Sequence, residues 1–201
     1  MTQDEEKARL NQGRKVLSAY YDEYTSQFAK PVFLEKFLGY GWPRIYLDDI
    51  RIGGRIDKIE WADDAHKTVT VVDYKTGQPK TRGEIEGKTK TSNGDYKRQL
   101  LFYKLLTDLD RSFGHKVEKG MFDFIEKDKQ TGKFRREEFL LPKEEVDGLR
   151  NIIKDVMAEV RALHFPRTTH YSICKDCEFS QHCWPDGIPE QKAEQMKLVT
   201  L

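Results

Sequence analysis

Asp57 and the triplet Asp73-Tyr74-Lys75 stand at the ends of two apolar runs, and their side chains suit one kind of chemistry. Two carboxylates supply hard oxygen ligands of the sort Mg2+ or Mn2+ takes, leaving coordination positions for water and a substrate phosphate. Lys75 lies two residues beyond Asp73 and so on the same strand face, because strand side chains repeat every second residue. A cation there can orient or help deprotonate an attacking water and offset charge building on a phosphorane. Asp-x-Lys alone is common, and in isolation reads as a solvated pair beside a turn.

The elements that must position these groups are legible as patterns. Asp57 follows Gly53-Gly54-Arg55-Ile56, where glycine permits a bend or a close backbone approach. Asp73 closes Val69-Thr70-Val71-Val72, a β-branched run suited to a buried strand. If the two runs pair as neighbours, both carboxylates converge at one end of a sheet. Residues 4–28 carry Leu10, Val16, Leu17, Tyr20, Tyr21, Tyr24 and Phe28 at helical spacing, an ordinary packing helix ending before Pro31. Val32 to Leu38, Arg44 to Leu47, Ile50 to Glu60 and Thr68 to Tyr74 read as consecutive strands of a mainly antiparallel meander. Thr76 to Lys97 is polar and reads as a mobile loop. Gln99 to Leu109 is a helix, Val117 to Glu126 and Lys133 to Leu140 form a hairpin, and Lys143 to Leu163 is a helix introduced by Pro142.

Three ordered motifs in this frame resemble the PD-(D/E)XK nuclease superfamily, and more closely its RecB-like branch. They are Gly54-Arg55-Ile56-Asp57, Val71-Val72-Asp73-Tyr74-Lys75-Thr76-Gly77 and Gln99-Leu100-Leu101-Phe102-Tyr103. The resemblance implies an α/β, restriction-endonuclease-like fold: a mixed sheet flanked by helices, with a cysteine-bearing carboxy-terminal tail. It implies that Asp57 and Asp73 are metal ligands, with the Tyr74 carbonyl a further one, and that Lys75 is the catalytic lysine. Gln99 and Tyr103, one helical turn apart, would face the site. Glu35 resembles an acidic residue that members carry before the first catalytic strand; a site residue and a simple strand-edge charge are equal readings. The activity implied is Mg2+-dependent hydrolysis of DNA, by an exonuclease more than an endonuclease. Single strands or duplex ends would be the substrate, in repair or recombination, with a helicase module or subunit as partner.

All three cysteines lie in Cys174-Lys175-Asp176-Cys177-Glu178-Phe179-Ser180-Gln181-His182-Cys183, with spacing C-x2-C-x5-C. Thiolates this close can reach one soft metal centre, and an odd, tight cluster fits metal ligation better than a disulfide framework. In a branch of RecB-like nucleases that includes AddB-type subunits, such a triplet ligates a [4Fe-4S] cluster whose fourth cysteine lies far upstream. The competing centre is zinc, completed by His170 in preference to His182, which adjoins Cys183. Two departures stand out: no histidine precedes His66, where the family carries a metal-binding one, and no fourth cysteine is present. Both are expected of a carboxy-terminal fragment of a longer helicase-nuclease, with a core over residues 1–165 and a metal-binding tail over 166–201.

Bulk properties bound the rest. The 201 residues carry 35 Lys and Arg against 34 Asp and Glu, so DNA binding must come from local charge. Lys75, Lys80, Arg82, Lys88, Lys90, Lys97 and Arg98 supply it next to the catalytic strand, where they could track a phosphate backbone. Tyr74, Tyr96 and Phe102 are candidates for base stacking. No apolar run nears the ~20 residues of a membrane span, and the amino terminus lacks a signal-peptide core, so a cytoplasmic protein is expected. No Walker A sequence occurs, which excludes P-loop ATP chemistry. The rival readings are a noncatalytic DNA-binding or scaffolding module with a degenerate nuclease fold, and a zinc-bearing interaction domain.

Overall fold

The computed structural model describes residues 2–41, 43–63, 65, 67–168 and 171–189. The chain divides into two compact units, Met1–Asp155 and Val156–Leu201. The first opens with helix α1 (Gln3–Tyr24), started by a reciprocal capping box in which Thr2 accepts from the Glu5 amide and Glu5 accepts from the Thr2 amide. Asp4, Glu5 and Glu6 in its first turn complement the helix dipole. Of its apolar stripe only Tyr20 is buried; that ring meets Tyr24, Phe28, Tyr74 and Phe134 at centroid distances of 5.0–6.5 Å.

Among the described residues seven strands follow: β1 (Pro31–Leu38), β2 (Ile45–Leu47), β3 (Ile50–Ile52), β4 (Gly54–Asp63), β5 (Thr68–Lys75), β6 (Lys116–Phe124) and β7 (Arg135–Leu140). Five make one mixed sheet in the order β1-β4-β5-β6-β7, parallel only between β5 and β6. This is the restriction-endonuclease-like α/β architecture. The simple meander expected from the sequence is not what forms. The stretch Ile50 to Glu60 breaks at Gly53, and β2 with β3 folds into a separate hairpin whose inward residues are Ile45, Leu47, Ile50 and Ile52. That insertion lets β4 return antiparallel to β1, ending at the pair Leu38 with Gly54. The chain leaves β1 through Gly39, which has φ +73°; a Cβ there would sit 2.3 Å from the Ile52 carbonyl oxygen, so only glycine fits.

The polar segment expected as a mobile loop carries a helical turn, α2 (Arg82–Ile85), capped reciprocally by Thr81 and Glu84 and pinned by the fully buried Ile85. Helix α3 (Asp95–Leu109) then covers the sheet with Leu100, Leu101, Tyr103, Leu105 and Leu106. Its close approach needs small residues beneath it. A Cβ on Gly54 would lie 2.9 Å from Leu106, and one on Gly120 would lie 3.1 Å from three atoms of Leu100. Helix α4 (Lys143–Arg161) buries Val146 and Leu149. In the second unit a 3₁₀ helix (Tyr171–Asp176) and α5 (Ser180–Cys183) carry the cysteines, with Trp184 edge-on to Tyr171 at 5.4 Å. Among the described residues no helix is long and apolar enough to cross a membrane.

Gly120→Val should force α3 off the sheet and lower stability by about 1–3 kcal/mol in urea denaturation, the range for overpacking a core. An unchanged midpoint would show that α3 does not depend on this contact.

Candidate active site

Strand β5 is buried from Thr68 through Asp73, and its last residues leave the core as a strand end. Its pairing with β4 last joins Lys58 to Val72. One step further the strands part, and the Asp57 carboxylate takes the place of a backbone partner: its Oδ2 accepts the Tyr74 amide at 3.0 Å. The fork thus places both carboxylates at the same strand end, as expected from the sequence.

Asp73 is 3% exposed and sits under α3. Its Oδ1 accepts from Gln99 Nε2 at 2.6 Å and from the Tyr103 hydroxyl at 2.7 Å. Gln99 Nε2 also reaches the Tyr103 oxygen at 2.8 Å, while Gln99 Oε1 accepts from Lys75 Nζ at 2.7 Å. The amide orientation follows from its neighbours, since only its oxygen can face the lysine. Lys75 Nζ closes the ring 2.6 Å from Asp73 Oδ2, a close ion pair that is not a directed hydrogen bond. Lys75 also lies 5.0 Å from the Tyr96 ring centroid and 5.3 Å from that of Phe122. Asp57, Asp73, Lys75, Gln99 and Tyr103 are therefore gathered as the motifs imply. Tyr74 alternates to the other face, where its ring meets Tyr20.

Burial is the main influence on Asp73 and raises its carboxyl above the usual range; the Lys75 ammonium and the Tyr103 hydroxyl pull it down, and Asp57 pushes it up. Tyr103 is raised well above an ordinary phenol by burial and by Asp73, so its hydroxyl stays a donor. A folded pKa above the unfolded one means that the stability linked to protonated Asp73 is present at low pH and is lost as pH rises through the folded value. An ionised, crowded carboxylate is thus retained at a cost to the fold, and a bound divalent cation would offset it.

The donor set fits such a cation. Asp73 Oδ2 accepts no directed hydrogen bond, and a second carboxylate stands at the same strand end. In the tail Cys174 is buried, Cys177 exposed and Cys183 half-buried, and all are free thiols. Among the described residues no three Cys, His, Asp or Glu side chains converge as a metal cage, at the strand end or in the tail. His66 and His170 lie outside the described residues.

The structure also places Glu35, the basic segment and Phe102. Glu35 pairs with Arg55 at 3.1 Å on an exposed edge and takes no part in the Asp73 network. Much of the basic segment after β5 is neutralised, Lys88 by Glu86, Lys97 by Glu145 and Arg82 by Glu86 and Glu137. Phe102 lies against α3's landing site beside Gly54. A buried group absent from the motifs appears on the opposite face, where Asp123 of β6 accepts from Tyr20 at 2.5 Å and from Arg136 at 2.9 Å. Its only sequence signal is a lone carboxylate between Phe122 and Phe124.

Tyr103→Phe removes a donor that favours the ionised form, so the Asp73 titration should move further upward, as read from its side-chain 13C shift. An unmoved or lowered midpoint would show that the hydroxyl does not hold this carboxylate.

The profile of the PD-(D/E)XK nuclease superfamily matches residues 2–184, spanning all three motifs. Among solved structures the chain is similar to one described as "Crystal structure of SSO0001", at 18% identity and a TM-score of 0.47, covering 86% of this chain and 68% of that one. No curated protein matches. With the profile covering nearly the whole chain, the protein belongs to the PD-(D/E)XK nuclease superfamily, whose members in general hydrolyse phosphodiester bonds of DNA with Mg2+ or Mn2+.

Proposed function

We propose that this chain is a Mg2+- or Mn2+-dependent deoxyribonuclease, an exonuclease in character, with Asp57, Asp73 and the Tyr74 carbonyl as metal ligands. The observation that carries it is the desolvated Asp73 carboxylate, held through Oδ1 by Gln99 and Tyr103 while Oδ2 faces only the Lys75 ammonium. Such a carboxylate is costly to bury, and the arrangement leaves one oxygen without a directed donor. When bound, a divalent metal polarises the phosphoryl oxygen and lowers the pKa of a water nucleophile.

The side chains divide the remaining work. Lys75 is the group placed to donate to a phosphate oxygen and balance charge as it develops. Gln99 fixes both Lys75 and Asp73 through one amide, so it orients the cation and the ligand together. Tyr103 keeps its proton and, as a donor, favours the ionised form of Asp73. A role in repair or recombination beside a helicase module rests on the RecB-like character of the three motifs. Metal ligation by the cysteines rests on the C-x2-C-x5-C spacing, and its reading as an iron–sulfur cluster in the intact protein, with zinc as the alternative, rests on the resemblance to AddB-type nucleases.

Incubation with single-stranded and duplex DNA should give cleavage with Mg2+ or Mn2+ and none with EDTA. Asp73→Ala and Lys75→Ala should each lose about 10²-fold or more, and Gln99→Ala about 10–100-fold. A chain that binds DNA yet cuts nothing under these conditions would instead be a noncatalytic DNA-binding module. For the tail, Co2+ titration should produce thiolate charge-transfer absorption that Cys177→Ser diminishes; absence of that band would remove the metal reading.

A further inference from the structure

A cavity of about 250 Å³ lies in the first unit, between α1 and the turn joining β6 to β7. Its walls are apolar, formed by Val16, Ala19, Ile125 and Phe134. Lys15, Lys127 and Lys129 are exposed around it. That volume falls below the roughly 300 Å³ at which drug-sized sites begin, and suits one planar ring system. The Lys127 ammonium stands 5.0 Å from the Phe134 ring centroid, so a polar group can reach that ring.

The cavity is tied directly to the end of β5. The Ile125 amide donates to the Lys75 carbonyl at 3.1 Å, and the Gly77 amide donates to Glu126 Oε1 at 3.0 Å. Gln78 accepts from the Lys129 amide at 3.0 Å and donates to the Lys127 carbonyl at 3.5 Å. Gln78 itself lines the cavity and is three residues along the chain from Lys75, so their backbones are at most about 11 Å apart. The cavity lies on the α1 face and the Lys75 side chain on the α3 face, so a DNA strand that uses both passes round the end of β5.

We propose that this cavity receives an unpaired nucleobase of the DNA strand whose phosphate lies at Asp73 and Lys75, a reading that rests on the nuclease assignment. The apolar walls and the Phe134 ring take the base, and the three lysines hold the adjoining phosphates. Glu126, a carboxylate of the lining, accepts from the Gly77 amide through Oε1, and the three lysines outweigh its charge. A paired base inside a duplex cannot enter, because it is stacked on both sides. The site therefore selects single-stranded or frayed DNA without reading its sequence.

Fluorescence anisotropy with the full chain in Ca2+, without cleavage, separates base binding from charge. The probes are an oligothymidylate, an abasic deoxyribose-phosphate strand of equal length, and a duplex. The oligothymidylate should bind the wild type about tenfold more tightly than the abasic strand. Ala19→Trp fills the cavity and Gln12→Trp covers it from an exposed position that places no strain on the core. Either should cut that ratio about threefold or more while leaving abasic-strand affinity in place, with thermal melting confirming the fold. A ratio near one in the wild type, or a ratio that both variants leave intact, overturns the proposal, as does duplex binding equal to that of the oligothymidylate. A chain that discriminates as expected but fails to cleave in Mg2+ keeps the pocket and loses the nuclease reading; one that cleaves without discriminating loses only the pocket.

Discussion

The arrangement depends on one costly group, the Asp73 carboxylate, which the fold places at 3% exposure under a helix. A carboxylate so desolvated is kept ionised only by donors and a cation within contact distance. Gln99 and Tyr103 supply the donors and Lys75 the cation. The sheet and α3 can be understood as what holds these four side chains in register: β5 fixes the two-residue spacing of Asp73 and Lys75, and α3 fixes the one-turn spacing of Gln99 and Tyr103. The glycines at 54 and 120 let α3 sit close enough for the two sets to meet.

The parallel pairing of β5 with β6 gives the sheet two chemically distinct faces. Asp73 pairs with Phe122 and Lys75 with Phe124, while Tyr74 pairs with Asp123. The α3 side carries the Asp73 network, and the α1 side carries Asp123 with Tyr20 and Arg136. Burial also raises the Asp123 carboxyl above its usual range, against the lowering by Tyr20 and Arg136. Tyr20 is the one buried residue of α1, so this group anchors an otherwise exposed helix to the sheet. Both faces open at the same strand end, where the chain beyond Lys75 is laced to the β6–β7 turn.

The Asp73 network was legible because its parts are local: a period-two pair on a strand, an i, i+4 pair on a helix, and a fixed order between them. The Tyr20–Asp123–Arg136 group was not, because its members are 103 and 13 residues apart and share no periodic pattern. The same reasoning explains the topology. Hairpin β6–β7 and the neighbours β4 and β5 are visible as adjacent alternating runs, whereas the β1–β4 pairing is hidden by the β2–β3 insertion, which looks like more of the same meander. Composition also obscured α2, where one buried Ile85 and the Thr81–Glu84 capping box outweigh a polar, glycine-rich background. The cation run after β5 overstated free charge, since its acidic partners Glu137 and Glu145 come from distant segments.

The buried Asp73 carboxylate is useful to the protein only if the Asp57–Asp73 strand end binds a divalent cation. Calorimetric titration of Mn2+ into the wild type and into Asp57→Asn measures this without any substrate. A saturable site in the wild type, weakened tenfold or more in the variant and fading as the pH falls through the raised Asp73 titration, is the predicted result. Equal binding by both proteins, or none by either, would contradict it.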